Sequence, residues 1–175
     1  AGLRVFDVEQ LSTHGGSLRV HGCRREADHT ETSAVKAVLS EERARGMDGA
    51  DFYAAFQAKA NAVKDALLAF LIEQKRLGRT VAAYGAAAKG NTILNYAGVK
   101  ADLLPFICDA APAKQGKYTP GSRIPILSPA VLRERTPDYL LILPWNIADE
   151  VMRQNAALAE RGMRFVTALP ELVVR

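Results

Sequence analysis

Residues 80–97, Thr-Val-Ala-Ala-Tyr-Gly-Ala-Ala-Ala-Lys-Gly-Asn-Thr-Ile-Leu-Asn-Tyr-Ala, run from an apolar strand-like segment through a turn at Gly85 into a helix that starts beside Lys89. A buried strand that feeds a helix across so short a turn is a piece of an α/β layer structure, in which further strands must lie parallel to it. The same stretch has the sequence form of an anion cradle. Backbone N–H groups at a helix start carry partial positive charge, and Lys89 and Asn91 add side-chain donors where a phosphate or pyrophosphate would sit.

The near misses of this loop narrow the ligand. Gly85 and Gly90 have the P-loop spacing and Thr92 fits its last position, but Asn91 stands where the phosphate-binding lysine belongs, which argues against ATP hydrolysis. A dinucleotide fingerprint needs a middle glycine for close approach to the pyrophosphate, and Ala87 occupies that place, which argues against conventional NAD binding. The plain alternative, a tight turn with a surface lysine, stands level with the ligand reading.

From Arg79 onward strand-like and helix-like segments alternate. Strands are expected at Thr80 to Tyr84, Leu104 to Cys108, Tyr139 to Leu143 and Arg164 to Thr167; helices at Lys89 to Ala97, Pro129 to Arg135 and Ile147 to Arg161. Apolar strands separated by helices predict a parallel sheet covered on both faces, the middle layer of a three-layer, Rossmann-like α/β domain. Ahead of it, Leu3 to Val8 and Ser17 to His21 alternate as a β-hairpin, residues 33 to 45 read as a helix, and a longer helix is expected from Asp51 to Leu77 with Phe52, Phe56, Val63, Leu67, Phe70 and Leu71 on its apolar stripe. The organisation expected is therefore a terminal hairpin over 1–25, a helical linker over 26–78 and the Rossmann-like domain over 79–175. A hairpin alone buries too little to stand, so it should pack on the rest or belong to a sheet whose other strands lie elsewhere.

With 175 residues the chain can bury a substantial core. The net charge of +4 fits an anionic ligand, but the cations form no run and no nucleic-acid module is present, so nucleic acid is not an expected partner. Neither a secretory leader nor a bilayer-spanning run is seen, and the expected location is the cytoplasm. The chain opens on Ala1 rather than methionine and reads as a fragment of something longer. Cys23 and Cys108 lie far apart and suggest neither a disulfide framework nor a zinc site. His14, His21 and His29 show no metal-ligand spacing with an acid or cysteine on one face.

Further site candidates follow the strands. Asp109, about 20 residues beyond the glycine turn, is placed either to bond a ribose hydroxyl or to cap the next turn. The loop carrying Lys114, Lys117 and Tyr118 mixes cations, glycine and an aromatic, and can either close over a pyrophosphate or lie solvated. Trp145 and Asn146 follow the third strand, where they can line a pocket or, for Asn146, cap the next helix. No Ser-His-Asp order or activated cysteine stands out.

Taken together, Thr13-His14-Gly15-Gly16-Ser17-Leu18-Arg19, Tyr84-Gly85-Ala86-Ala87-Ala88-Lys89-Gly90-Asn91-Thr92, Lys114-Gln115-Gly116-Lys117-Tyr118 with Pro120-Gly121, Ile124-Pro125-Ile126, and Pro137-Asp138-Tyr139 through Leu143-Pro144-Trp145-Asn146 resemble the C-terminal region of sugar C-methyltransferases. Those enzymes use S-adenosylmethionine and act on nucleotide-linked 4-keto-deoxysugars in deoxysugar biosynthesis. The resemblance implies three parts: a zinc-bearing N-terminal module, a central methyltransferase domain that binds S-adenosylmethionine, and a C-terminal Rossmann-like domain that helps hold the nucleotide-diphosphate sugar. The first two would be this chain's partners within one protein. The Tyr-x-Glu-His motif that carries the proposed base does not occur here, so the chain alone is expected to be inactive. By resemblance, Gly85, Lys89, Gly90 and Asn91 are phosphate-side contacts, Lys114, Lys117 and Tyr118 a closing loop, Trp145 and Asn146 pocket lining, and His14 a residue near the central domain. A nucleotide-dependent oxidoreductase or epimerase, and a non-catalytic nucleotide-binding domain, are the alternatives.

Overall fold

The structure, a computed structural model, describes residues 1–13 and 16–175; His14 and Gly15 lie outside the described residues. The chain divides into two compact units, Ala1–Ala58 and Lys59–Arg175.

In the first unit, β1 (Leu3–Leu11) and β2 (Ser17–Arg24) pair antiparallel, with a register shift between Val5 and Asp7. The carbonyl of Phe6, inside that shift, accepts the N–H of Thr32 at 2.9 Å. The polar stretch between hairpin and helix is therefore tied down, and the Arg4 guanidinium adds bonds to the carbonyls of Ala27 at 2.8 Å and His29 at 2.5 Å. The His29 ring stacks on Phe6 with centroids 4.6 Å apart. Helix α1 (Ser33–Ala44) follows and buries Val35, and α2 is the single turn Asp51–Ala54.

The second unit is built on a six-stranded sheet. Its strands are β3 (Val81–Tyr84), β4 (Ile107–Cys108), β5 (Ile126–Leu127), β6 (Tyr139–Ile142), β7 (Arg164–Thr167) and β8 (Val173–Val174). Their order is β5-β4-β3-β6-β7-β8, parallel throughout except for β8. Alternate strand residues enter two separate cores, as the two-residue period of a strand requires. Val81, Ala83 and Leu141 pack with Leu67, Phe70 and Leu71 of α3 (Phe56–Arg76) and with Ile93 and Leu94 of α4 (Ala88–Tyr96). Ala82, Leu140 and Ile142 pack on the other side with Leu132 of α5 (Val131–Glu134), Val151 of α6 (Ala148–Gln154) and Leu158 of α7 (Ala156–Ala159). The sheet is thus covered on both faces, and the α/β expectation with a mostly parallel sheet and a separate hairpin describes the molecule. No helix among the described residues is long and apolar enough to cross a membrane.

Several elements differ from their sequence reading. The helix expected over Asp51 to Leu77 is broken at Ala55, and Phe52 and Phe56 are 48% and 70% exposed rather than part of the buried stripe. Periodicity marks which face of a helix is apolar, not how far the surface that covers it extends. The helix expected from Ile147 to Arg161 is interrupted at Asn155, whose side-chain amide donates to the carbonyl of Val151 at 2.8 Å and so competes with the helical ladder. Only Ile107 and Cys108 of the expected strand at Leu104 to Cys108 join the ladder, because Pro105 has no N–H to give. Strands β5 and β8, two residues each, carry too short a pattern to be read.

Leu71 is fully buried between α3 and the sheet. Leu71→Ala should lower unfolding stability by about 2–5 kcal/mol, read as a fall in the urea midpoint with an unchanged slope.

Candidate functional site

The parallel register pairs Tyr84 with Cys108 and with Ile142, so the segments after β3, β4 and β6 leave the sheet at one edge. Connections from the central pair β3 and β6 lead away in opposite directions. That reversal opens a crevice at the carboxyl ends, the usual ligand position in open α/β sheets.

At this edge Gly85 has φ of +90° and donates its N–H to the carbonyl of Cys108 at 2.7 Å. A Cβ here would stand 2.6 Å from Cδ of Pro144, so the turn needs glycine both for its backbone and for its closeness to the segment after β6. Gly90 does a similar service for α4: a Cβ would stand 2.7 Å from Cβ of Leu143. Both glycines therefore face protein and bring the helix start down onto β6. No side chain caps α4 at Ala87, so the N–H groups of its first turn are left for another acceptor.

Lys89 reaches across the crevice. Its ammonium donates to Oδ1 of Asn146 and lies 5.1 Å from the centroid of the Trp145 ring. Trp145 to Ile147 form a 3₁₀ turn, and α6 begins only at Ala148 with Ile147 in the cap position, so Asn146 serves Lys89 rather than the helix end.

Asp109 is buried, and its carboxylate is engaged by protein on both oxygens. Oδ2 accepts the N–H of Ala86 at 2.8 Å and the Lys114 ammonium at 3.0 Å, while Oδ1 accepts the N–H of Ala111 at 2.8 Å. Burial pushes its carboxyl up, but the bonds from Ala111 and Lys114, with the lysine charge and Ala86, outweigh that and hold it below its ordinary value of 3.8. Tyr84 is shifted upward by burial, with the charge of Asp109 adding to it. Burial also pushes the Cys108 thiol up to about 12, so it stays protonated and is no nucleophile.

Between α4 and the loop that precedes β5 lies a cleft of about 280 Å³, lined by Ala86, Ala87, Asn91, Thr119, Pro120 and Leu143 among others. Asn91 lines it, and its Oδ1, shut off from solvent, has no hydrogen-bond partner. The loop wall is fixed from α4: Nδ2 of Asn95 donates to the carbonyl of Pro120 at 3.0 Å and Nζ of Lys100 to that of Gly121 at 2.8 Å. Lys117 and Tyr118 are exposed, Tyr118 to 66%, with their backbone tied to the Pro125–Ile126 segment. Thr119 and Pro120, next in the chain, line the cleft instead. Neither is among the site residues expected from the sequence, although the Pro120-Gly121 pair marks a turn there. His14 lies outside the described residues.

The structure thus brings Gly85, Lys89, Gly90, Asn91, Asp109, Lys114, Trp145 and Asn146 to the carboxyl edge of one sheet. It also gathers Asp7, Glu9 and His21 on the hairpin, with one ligand atom of each within 4.8 Å of the others. That corrects the expectation that no histidine shares a face with acids, because cross-strand neighbours cannot be read from spacing along the chain.

Residues 12–170 match the family model described as "C-methyltransferase C-terminal domain". The chain is similar to the C-methyltransferase NovU of Streptomyces niveus, 38% identical over 170 residues. The alignment covers 97% of this chain and 40% of the relative, so the chain spans about two-fifths of that protein's length.

Two substitutions test the edge. Gly85→Ala, strained by both φ and the Pro144 contact, should cost about 1–3 kcal/mol in denaturant unfolding. Asp109→Asn should cost about 1–3 kcal/mol at pH 7. Because the folded-state carboxyl lies below its unfolded value, its contribution is full above the ordinary carboxylate range and is lost as pH falls through the lowered value; the Asn variant should therefore lack that acid-side loss in a stability–pH profile.

Proposed function

The chain belongs to the family of C-methyltransferase C-terminal domains, and on that premise we propose that it is the substrate-holding part of an S-adenosylmethionine-dependent C-methyltransferase that acts on a nucleotide-linked 4-keto-deoxysugar. The observation that carries this reading is the buried, unpartnered Oδ1 of Asn91, a residue that lines an apolar cleft next to the uncapped start of the helix that also carries Lys89. An acceptor hidden from water calls for a donor, which a base ring N–H or a sugar hydroxyl supplies. The N–H groups of Ala88, Lys89 and Gly90 and the Lys89 ammonium suit the diphosphate of the same ligand. Sheet order and a strand-turn-helix at the crevice support a Rossmann-like description of the domain, with Gly85 and Gly90 setting the turn.

Holding the carrier is a chemical contribution. A 4-keto group acidifies the neighbouring C–H, but removal of that proton needs a positioned base and a fixed substrate, and remote binding of the nucleotide provides the fixing. S-adenosylmethionine supplies the methyl group and is assigned to a part of the protein outside this chain. The family resemblance implies a cysteine-bound zinc there as well.

Calorimetric titration with dTDP and a dTDP-linked 4-keto-deoxysugar, set against NAD and S-adenosylmethionine, tests the assignment. Saturable binding of the first two is expected, weakened by about 10–100-fold in Lys89→Ala, as loss of a charge-assisted contact implies. Preferential binding of NAD would replace this reading with an oxidoreductase; no binding of either dTDP ligand would remove the carrier-holding role from the chain.

A further inference from the structure

We propose that Asp7, Glu9 and His21 bind one first-row divalent cation on the face of the β1–β2 hairpin. The register sets Asp7 opposite His21 and Glu9 opposite Arg19, and side chains two apart on a strand share a face, so all three ligands project together. One oxygen of each carboxylate and one imidazole nitrogen lie within 4.8 Å of one another. An ion about 2.0–2.2 Å from each ligand needs them within about 4.4 Å, so binding draws the three slightly closer together.

The trio is oriented from outside. Oε1 of Glu9 is 3.1 Å from Nε2 of His21, while its Oε2 accepts from the Arg19 guanidinium at 3.0 Å. Oδ1 of Asp7 accepts the Thr32 hydroxyl at 2.5 Å, a bond that also holds the carboxyl below its ordinary value. Each carboxylate thus keeps one oxygen pinned by a donor that is not itself a ligand, the arrangement by which outer partners aim metal ligands. Asp7 and Glu9 share one uninterrupted register with His21 that runs to the hairpin turn, and the irregularity between Val5 and Asp7 lies outside it. All three residues are half-buried and supported by two strands and the segment before α1.

The donor set selects the ion. Two carboxylates and a neutral imidazole carry a charge that a divalent cation cancels. The imidazole favours zinc, cobalt or iron over calcium and magnesium, and three protein ligands leave room for water. Cys23 is not in the group, so no thiolate takes part.

The test uses this chain, stripped by a chelator and titrated with Zn²⁺ by calorimetry and with Co²⁺ by visible absorption. One ion per chain is expected, with Co²⁺ ligand-field bands and no thiolate charge-transfer band. His21→Asn and Glu9→Gln should each weaken Zn²⁺ by at least about 100-fold, and Thr32→Val by about 10-fold. Cys23→Ser and His29→Asn should bind as the parent does. Asp7→Asn, which keeps the side-chain shape, serves where another variant fails to fold, as judged by circular dichroism. No saturable binding below about 1 mM, or unchanged affinity in His21→Asn and Glu9→Gln, would overturn the proposal and leave the trio as an ion-pair cluster alone.

Discussion

The carboxylate of Asp109, buried where β4 ends, accepts hydrogen bonds from the turn after β3 through Ala86, from its own loop through Ala111, and from Lys114. A buried charge is tolerable only when nearly all its lone pairs are used, since desolvation costs several kcal/mol per ion. Satisfying this one group therefore dictates the path of two loops. Ala86 must turn its N–H toward β4, which forces the positive φ at Gly85 and draws that turn against Pro144. With the turn fixed, α4 starts close over Leu143 after β6, and Lys89 comes within reach of Trp145 and Asn146.

Much of this was legible because it is local. Gly85 and Gly90 bracket the turn, Lys89 and Asn91 follow it, and apolar strands of four residues alternate with helices, so the covered sheet and the edge that carries the candidates could be read from the chain. Residues whose role depends on a distant neighbour were not. Asn91 reads as a generic donor, yet the feature that distinguishes it is a buried acceptor atom without a partner, on a residue that shares its cleft with Thr119, Pro120 and Ile126 some thirty residues on. Tyr118 and Lys117 attract attention by residue type, but the backbone of their loop turns their smaller neighbours toward the cleft.

The hairpin shows the same limit in a sharper form. Asp7, Glu9 and His21 come together because the hairpin pairs Asp7 with His21 across the strands, and Glu9, two residues on, shares their face. Phe52 and Phe56 err in the opposite sense, since an apolar stripe promises a partner surface without saying where that surface stops.

Three titratable groups at the sheet edge are shifted by their surroundings. Burial raises the Cys108 thiol to about 12 and also raises Tyr84, hydrogen bonds hold Asp109 below its ordinary value, and the three histidines all fall in the first 30 residues, outside the second unit. Proton transfer at neutral pH is most efficient from a group that titrates near neutrality. Under the proposed role, donors, a cation and a hidden acceptor gathered at one edge suit the holding of a ligand more than the exchange of protons with it. For the proposed carrier-holding role this is useful: the interactions that orient a nucleotide neither change charge nor rearrange when a base elsewhere acts, so the binding they provide is available undiminished in the transition state.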